Sequence, residues 1–382
     1  MNLIFYVHLT MFVPFVAIVG ARVLFVLYAL DLGASPFAVG LLATATQIFP
    51  LLLSYPAGVL QDRFGARWLL AAAACSGGIG ISLPYFFPGM PALYIACALC
   101  GVWSAFVIVL TQALVGMLSP PSELARHFSH YTLMAWSTQL FGPLIAGYSI
   151  DAFGYAHSCL VLIPIALLTV LMMAVWGKRL PGGARRAGQA PSLRGVLADR
   201  GVLRVLAASG AVQLAMELFP FFIPLFGHAL ELPASTIGWL LGSASIAAMV
   251  LCLVLPRLAA RHSEERLLGF CFAGSAFAFA MLPLAPGAPW LALVCVVFGL
   301  TMGGGQALST MLMYKRATPG QPGAAMGLRM MTNSATRVAG PPLLGYLAAV
   351  LGLASAPWAT AALMVCSAWV LRPAQRAGKA QG

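Results

Sequence analysis

The chain has 382 residues, of which 61% are hydrophobic and only 8% are charged. A soluble domain carries about 25% charged residues, so this composition excludes a soluble fold and makes the lipid bilayer the solvent of the chain. The formal net charge of +12 could suit nucleic acid. The basic residues, however, lie in connections between apolar runs and form no single patch, so we predict that nucleic acid is not a partner.

Apolar segments of about 20 residues, enough for a helix to cross the hydrocarbon core, follow one another along almost the whole chain. They are continuous runs and do not alternate, which favours helices over the strands of a barrel. The sequence therefore predicts an all-α membrane protein of twelve transmembrane helices. The approximate spans are 5–30, 36–60, 67–87, 91–117, 127–152, 157–177, 203–230, 235–257, 266–286, 289–314, 323–350 and 356–371.

The basic residues are distributed unequally between the two sets of connections. Eighteen of the 21 Lys and Arg residues lie in alternate connections, in the segment 178–204 and in the C-terminal tail. The opposite connections hold none, and Asp31, Asp151 and Glu231 lie near them. Because positively charged loops stay in the cytoplasm, we predict a bacterial-type inner-membrane protein with both termini cytoplasmic.

Residues 178–202 interrupt the apolar pattern with Gly, Pro and Arg. This composition is typical of a linker, so we predict an N-terminal six-helix half over 1–177 and a C-terminal half over 203–371. A cytoplasmic tail would cover residues 372–382.

The two predicted halves resemble each other. The segment Gly142–Tyr148 reads GPLIAGY and Gly340–Tyr346 reads GPPLLGY, 198 residues later. Tyr28–Ser35 and His228–Ser235 match at an offset of 200. Pro removes a backbone hydrogen bond and Gly lets helices approach closely, so these residues either bend a moving helix or form a static kink. The candidate bending residues are Gly142, Pro143, Gly147, Gly340 and Pro341.

The connection between the second and third spans reads GVLQDRFGAR, Gly58–Arg67. It resembles the signature loop of the major facilitator superfamily, and the spans, linker and repeat agree with that family. The resemblance implies two pseudo-symmetric six-helix bundles with alternating access, and a conformational lock near the start of the eleventh helix. The carboxylate of Asp62 would occupy this helix end, paired with arginines. The implied lock residues are Gly58, Asp62, Arg63, Gly65 and Arg67, and Arg329 either joins them or extends to the cytoplasmic surface.

The fifth span also resembles, in part, the motif of drug-exporting members of that family. Gly142, Pro143 and Gly147 match it, whereas Thr138 and Ala146 replace two of its glycines. The arginine that proton-coupled drug exporters carry in the fourth helix is replaced here by Cys97. The resemblance therefore favours export and leaves the coupling machinery open.

Four charged residues lie deep in the apolar spans: Arg22, Glu217, Arg329 and Arg337. Each would cost about 2.5–3.5 kcal/mol at the bilayer centre, so they must face a polar cavity or one another. By the repeat, Arg22 and Glu217 differ in depth by about five residues, roughly 7.5 Å of helix rise, which an arginine could bridge. We predict Glu217 as a protonatable group beside Arg22; ion pairs that only hold helices together are the alternative.

Arg337, Asn333 and Arg329 are spaced by four residues and share one helix face. Such a face suits an anionic or carboxylate substrate, because guanidinium binds these groups in a forked geometry. Gln139 is the repeat partner of Arg337 and completes the predicted substrate and coupling residues.

The sequence thus predicts a secondary transporter for a small organic molecule, with proton-coupled efflux as the first hypothesis and proton-coupled uptake of an organic anion as the second. An enzyme is disfavoured because the six histidines are scattered and acid-rich motifs are absent. ATP-driven transport would need a G-x-x-x-x-G-K-[ST] loop, which the sequence lacks. We expect no cofactor and no metal site, and a monomer in the lipid bilayer.

Overall fold

The computed structural model describes residues 3–120, 123–180, 200–316 and 322–370. Most of the predicted linker, 178–202, and all of the predicted tail, 372–382, lie outside these residues. The division into halves at the linker therefore stays a prediction.

The described residues form long helices joined by short connections. In chain order they are α1 Leu3–Asp31, α2 Pro36–Phe64, α3 Ala66–Phe86, α4 Met90–Leu118, α5 Leu124–Val175, α6 Arg200–Ala229, α7 Ala234–Arg261, α8 Glu264–Met281, α9 Ala288–Met302, α10 Gly305–Arg316, α11 Pro322–Leu351 and α12 Ser355–Val370. We call residues 3–180 the N-terminal half and residues 200–370 the C-terminal half.

Local sequence signals explain several helix ends. Ser35 precedes α2, its hydroxyl oxygen accepts the Ala38 N–H at 3.3 Å, and Pro36 begins the helix. Ser263 has the same role before α8, where it accepts the Arg266 N–H at 3.4 Å. These side chains satisfy N–H groups that a helix leaves unpaired in its first turn.

The described ranges contain nine helices that are long and apolar enough to cross a membrane. One of them, within α5, covers two predicted spans, and Gly154 interrupts it with non-helical φ and ψ of 74° and 173°. Another, Ala288–Met313, extends over α9 and α10 together. The helix α11, which carries Arg329 and Arg337, and the 16-residue α12 are not among the nine. The all-α membrane fold is as predicted, whereas the number twelve stays a prediction.

Large apolar side chains cover the outside of the molecule. Leu52, Ile79, Phe270 and Leu343 are each between 58% and 66% exposed. Such a surface would aggregate in water, and lipid is the solvent that it fits.

The two ends of the helices differ in charge. The basic end carries exposed Arg63, Arg257, Arg261 and Arg266, and the acidic end carries exposed Asp31, Asp151 and Glu231. We use these two names below.

The two halves contact each other toward the acidic end through α5 with α7 and α2 with α11. The contacts are backbone to backbone, because glycine occupies each crossing. A methyl group on Gly238 would lie 2.6 Å from the Pro143 carbonyl oxygen, and one on Gly40 would lie 2.8 Å from that of Pro341. Gly40 and Gly238 are 198 residues apart, and so are Pro143 and Pro341. The duplicated segments therefore form two equivalent contacts between the halves.

Asp151 joins the halves at the acidic end. Its carboxylate oxygens accept the N–H groups of Ala234 and Ser235, each at 2.9 Å, at the start of α7. A carboxylate there satisfies two unpaired N–H groups and the positive end of the helix dipole.

Asp151 lies in a sequence that repeats the pattern of the signature loop. Gly147, Asp151 and Gly154 have the spacing of Gly58, Asp62 and Gly65. Gly65 and Gly154 also share a backbone conformation, with φ of 74° at both and ψ of 168° and 173°. The connection after residue 151 is therefore a counterpart of the signature loop at the opposite end of the N-terminal half.

We expect Asp151→Ala to weaken the contact between the halves by about 0.5–2 kcal/mol, because the start of α7 loses its acceptor. Distances between spin labels on α5 and α7 at the acidic end, in a background without the eight native cysteines, should shift toward longer values. Asp31→Ala, at the same end, is the matched control. Unchanged distances in Asp151→Ala would contradict a holding role for this carboxylate.

Candidate functional site

An ion pair connects the two halves at mid-depth. The Arg22 Nη2 atom in α1 donates to the Glu217 Oε2 atom in α6 at 2.6 Å. The Glu217 side chain is 8% exposed and that of Arg22 is 23% exposed. The sequence predicts that these two residues differ by about 7.5 Å in depth along the membrane normal, a separation that an arginine side chain can bridge. In the structure their side chains are in direct contact.

Glu217 has three further partners. The Gln47 amide in α2 donates to Oε2, and the Gln213 amide in α6 donates to Oε1, both at 3.2 Å. The Arg337 Nε atom in α11 lies 3.3 Å from Oε1. A buried carboxylate is stable only with such pairing, and Glu217 obtains it from both halves.

The polar network continues along two facing stripes. On α6 the stripe consists of Ser209, Gln213 and Glu217, spaced by four residues, which places them on one helix face. On α11 the stripe consists of Arg329, Asn333 and Arg337, with the same spacing.

Hydrogen bonds link the two stripes. Ser209 Oγ donates to the Asn333 amide oxygen at 3.0 Å, and Arg337 Nη2 donates to the Gln213 amide oxygen at 3.4 Å. Each stripe covers eight residues, about 12 Å of helix rise, and extends from Glu217 toward the basic end.

Arg329 lies inside this network. It is 5% exposed and donates from Nη1 to Ser209 Oγ and to the Gln306 amide oxygen, both at 3.3 Å. Gln306 in turn donates to the amide oxygen of Gln213. The structure thus places Arg329 with the predicted site residues.

A cavity that is partly open to its surroundings lies between the halves, beside Arg22. The empty space within it and its open mouth together amounts to about 830 Å³. Val23, Phe219, Phe221 and Phe298 are typical of its largely apolar lining, and Arg22 is the one charged lining residue in the described part of the chain. Its uncharged polar lining consists of Trp136, Gln139 and Ser245.

The predicted substrate residues are divided between two places. Arg22 and Gln139 line the cavity, whereas Glu217, Asn333 and Arg337 belong to the network behind it. Arg22 belongs to both, so it connects the cavity to the buried carboxylate.

The residues of the signature loop lie at the basic end. Arg67 donates to the carbonyl oxygens of Met173 and Ala174 at 3.1 and 3.2 Å. The Arg63 guanidinium is exposed, 5.1 Å from the Phe64 ring centre. The Asp62 side chain lies outside the described structure, so the lock stays a prediction.

The candidate bending residues pack at close helix contacts. A methyl group on Gly142 would lie 2.8 Å from the Gly20 nitrogen in α1, and one on Gly340 would overlap the Leu214 side chain. Gly147 and Pro143 contact the start of α7, and Pro341 contacts Gly40 in α2. Close packing explains these residues in this conformation, and a bending role stays a prediction.

Of the α6 stripe, the sequence assigns Glu217 to the site but not Ser209 or Gln213. Gln306 in α10 is likewise not predicted, because ordinary polar contacts between helices explain a single glutamine in a membrane helix equally well. The four-residue spacing of Ser209, Gln213 and Glu217 is the signal that would have found the stripe. Over the described ranges, the structure shows no group of three or more His, Cys, Asp or Glu residues that could hold a metal ion.

A helical membrane chain whose two halves enclose a cavity beside a buried polar network has the architecture of a solute transporter. The chain belongs to the Major Facilitator Superfamily, whose family model matches residues 7–341. It is therefore a secondary transporter of small molecules in the inner membrane, and not an enzyme.

Relatives and solved structures are similar to the chain over most of its length. It is 25% identical over 340 residues to Multidrug resistance protein MdtH of Aeromonas hydrophila, covering 86% of this chain and 83% of that protein. The MdtH protein of Aeromonas salmonicida is 25% identical over 298 residues, 76% of this chain and 73% of that protein.

Two solved structures share the fold, each with a TM-score of 0.80. A point mutant of the nucleoside transporter NupG is 14% identical and covers 97% of this chain and 99% of its own. A POT family transporter in complex with 5-aminolevulinic acid is 11% identical, with 96% and 95% covered.

We expect Glu217→Leu to destabilise the protein by up to about 3–5 kcal/mol, because it leaves the partly buried Arg22 and Arg337 without their carboxylate. Adding Arg22→Leu should recover part of the loss, since one of the unpaired charges is then removed. Unfolding of the purified protein in detergent measures both effects. Asp31→Leu, at an exposed carboxylate, should change stability little, and a double variant less stable than Glu217→Leu would count against the pairing.

Proposed function

We propose that this protein exports small organic molecules in exchange for protons, with Glu217 as the proton site and the cavity beside Arg22 as the substrate site. The observation that carries the proposal is the double contact of Arg22, which pairs with Glu217 and lines the cavity. The direction of transport is proposed by analogy with the MdtH relatives, which are multidrug resistance proteins.

The contacts of Arg22 determine whether proton binding at Glu217 favours or opposes substrate binding. While Glu217 is ionised, it neutralises Arg22, and the cavity presents an apolar surface with a paired guanidinium. A proton on Glu217 leaves the Arg22 charge uncompensated beside that surface, which disfavours an uncharged apolar ligand. Proton and substrate therefore oppose each other's binding, as exchange requires, because linkage between two ligands is reciprocal.

The groups that face Glu217 come from four helices. They are Arg22 in α1, Gln47 in α2, Gln213 in α6 and Arg337 in α11. The two arginines favour the ionised form and the two amides donate to it, so substrate binding is the event that has to alter this balance. The α6 and α11 stripes offer a polar route for the proton toward the basic end.

The same proposal assigns the two ends of the molecule. The basic end, with both termini, faces the cytoplasm. The Asp151 contact holds the acidic end together in the conformation described above, and the Asp62 lock acts at the basic end when the halves rock. The transporter works as a monomer.

Proton-coupled uptake of an organic anion is the second candidate. It is favoured by the excess of Arg22, Arg329 and Arg337 over Glu217 in the interior of the described helices. An anion that draws Arg22 from Glu217 would promote protonation of the carboxylate, so anion and proton would move together.

We expect Glu217→Gln to abolish proton-driven transport, because the amide cannot exchange a proton. In everted membrane vesicles, an imposed proton gradient, acidic inside, should make the wild type concentrate naphthaleneacetamide, an uncharged aromatic probe. The variant should only equilibrate the probe, at a rate that does not change with pH.

Glu231→Gln is the matched control, since Glu231 is exposed at the acidic end, and it should transport like the wild type. Transport by Glu217→Gln with wild-type accumulation and pH dependence would overturn the proton role. Proton-driven accumulation of naphthaleneacetate in right-side-out vesicles, without export of the amide, would select the second candidate.

A further inference from the structure

We infer that the cavity binds an uncharged, largely apolar organic molecule that carries a hydrogen-bond acceptor, and that Arg22 excludes lipophilic cations from it. This inference rests on the proposed role of the cavity as the substrate site. It names the class of substrate and the residue that selects it.

The apolar lining of the cavity favours a ligand whose main part is apolar. Aromatic and aliphatic side chains from both halves dominate it, with Val19, Val26, Phe219, Phe221 and Phe298 as examples. An apolar body gains roughly 25 cal/mol for each square ångström that it removes from water. Rings are favoured, because the phenylalanines offer aromatic faces and edges.

The polar part of the lining sets the functional group of the ligand. Arg22 carries five N–H donors, more than its bond to Glu217 uses, and the amide of Gln139 adds two. The Oγ hydrogen of Ser245 is already donated to the Leu241 carbonyl oxygen at 3.0 Å. The side chains that remain are rich in donors, so a carbonyl or ether oxygen on the ligand fits them.

The charges around the cavity select against a cation. Arg22 is the charged lining residue, and Arg329 and Arg337 lie behind it with Glu217 as the acidic partner. The excess of positive charge repels a cation that is desolvated in an apolar site, where screening is weak. Glu217 is 8% exposed and outside the lining, so it cannot serve a cation directly.

The ion pair between Arg22 and Glu217 also reduces the affinity that an anionic ligand would gain from Arg22. Glu217 already holds Arg22 at 2.6 Å, and Arg337 shares the same carboxylate. A ligand carboxylate would have to lose its own hydration and displace this short charge-assisted bond. An uncharged acceptor needs neither step, because it can use the N–H groups that point away from Glu217.

Three probes with one aromatic body test this inference: naphthaleneacetamide, naphthaleneacetate and naphthylmethyl-trimethylammonium. Equilibrium binding to the purified full-length protein should give the amide the lowest Kd. The cation should bind at least about tenfold more weakly, a difference of about 1.4 kcal/mol. The acetate should bind no more tightly than the amide.

Variants of Arg22 identify the selecting residue. Arg22→Gln should raise the affinity for the cation at least about tenfold. It should lower the affinity for the amide, which loses guanidinium N–H donors. Glu217 keeps Arg337 as a partner in this variant, so its fold is protected. Arg22→Lys should retain the exclusion of the cation, and Arg261→Gln, at the exposed basic end, should behave like the wild type.

Each other outcome overturns the inference: a cation that binds as tightly as the amide, an acetate that binds more tightly than the amide, or an amide that does not bind. Its failure differs from that of the proposed function. Proton-driven, Glu217-dependent transport of the cation would refute the substrate class alone. Selective binding of the amide without proton-driven transport would refute the exchange mechanism alone.

Discussion

A single buried carboxylate constrains the centre of this protein. Glu217 lies in a membrane helix, where an unpaired charge is costly, and its partners come from α1, α2, α6 and α11. Because these helices belong to both halves, the requirement to keep Glu217 paired is also a requirement on how the halves lie against each other. In the mechanism that we propose, movement of the halves and protonation of Glu217 are therefore linked.

The position of Arg22 explains how that constraint can serve transport. Among the described residues, its guanidinium is the one part of the charged network that reaches the cavity lining. The arginines of the α11 stripe have the same charge, but their partners are side chains of α6 and α10: Ser209 and Gln306 for Arg329, and Gln213 and Glu217 for Arg337. If the cavity binds the substrate, as we propose, the substrate contacts the charged network through Arg22, which then links it to Glu217.

The sequence predicted the helical membrane fold and the charged positions well, because lipid imposes strong rules on both. Apolar runs, loop charges and a rare buried acid are each visible in a single sequence. Ser209 and Gln213 of the α6 stripe were not predicted, because such residues are ordinary in helix contacts and acquire meaning only when α11 lies opposite. The sequence also did not predict the Asp151 contact: Asp151 was read as a loop charge, and its acceptor role depends on where α7 begins in space.

The two halves share their close backbone contacts but not their charged residues. The close backbone contacts are duplicated: Gly40 and Gly238, and Pro143 and Pro341, are 198 residues apart and form equivalent crossings. The charged residues are not duplicated, since an offset of 198 residues pairs Arg337 with Gln139 and Asp151 with Ala349. Shape complementarity at an interface between similar bundles has to be symmetric for both crossings to fit, whereas an ion-coupling site needs one carboxylate with one set of partners. In the proposed mechanism, the repeat therefore supplies the surfaces on which the halves move, and the departures from the repeat supply the charges that this movement has to accommodate.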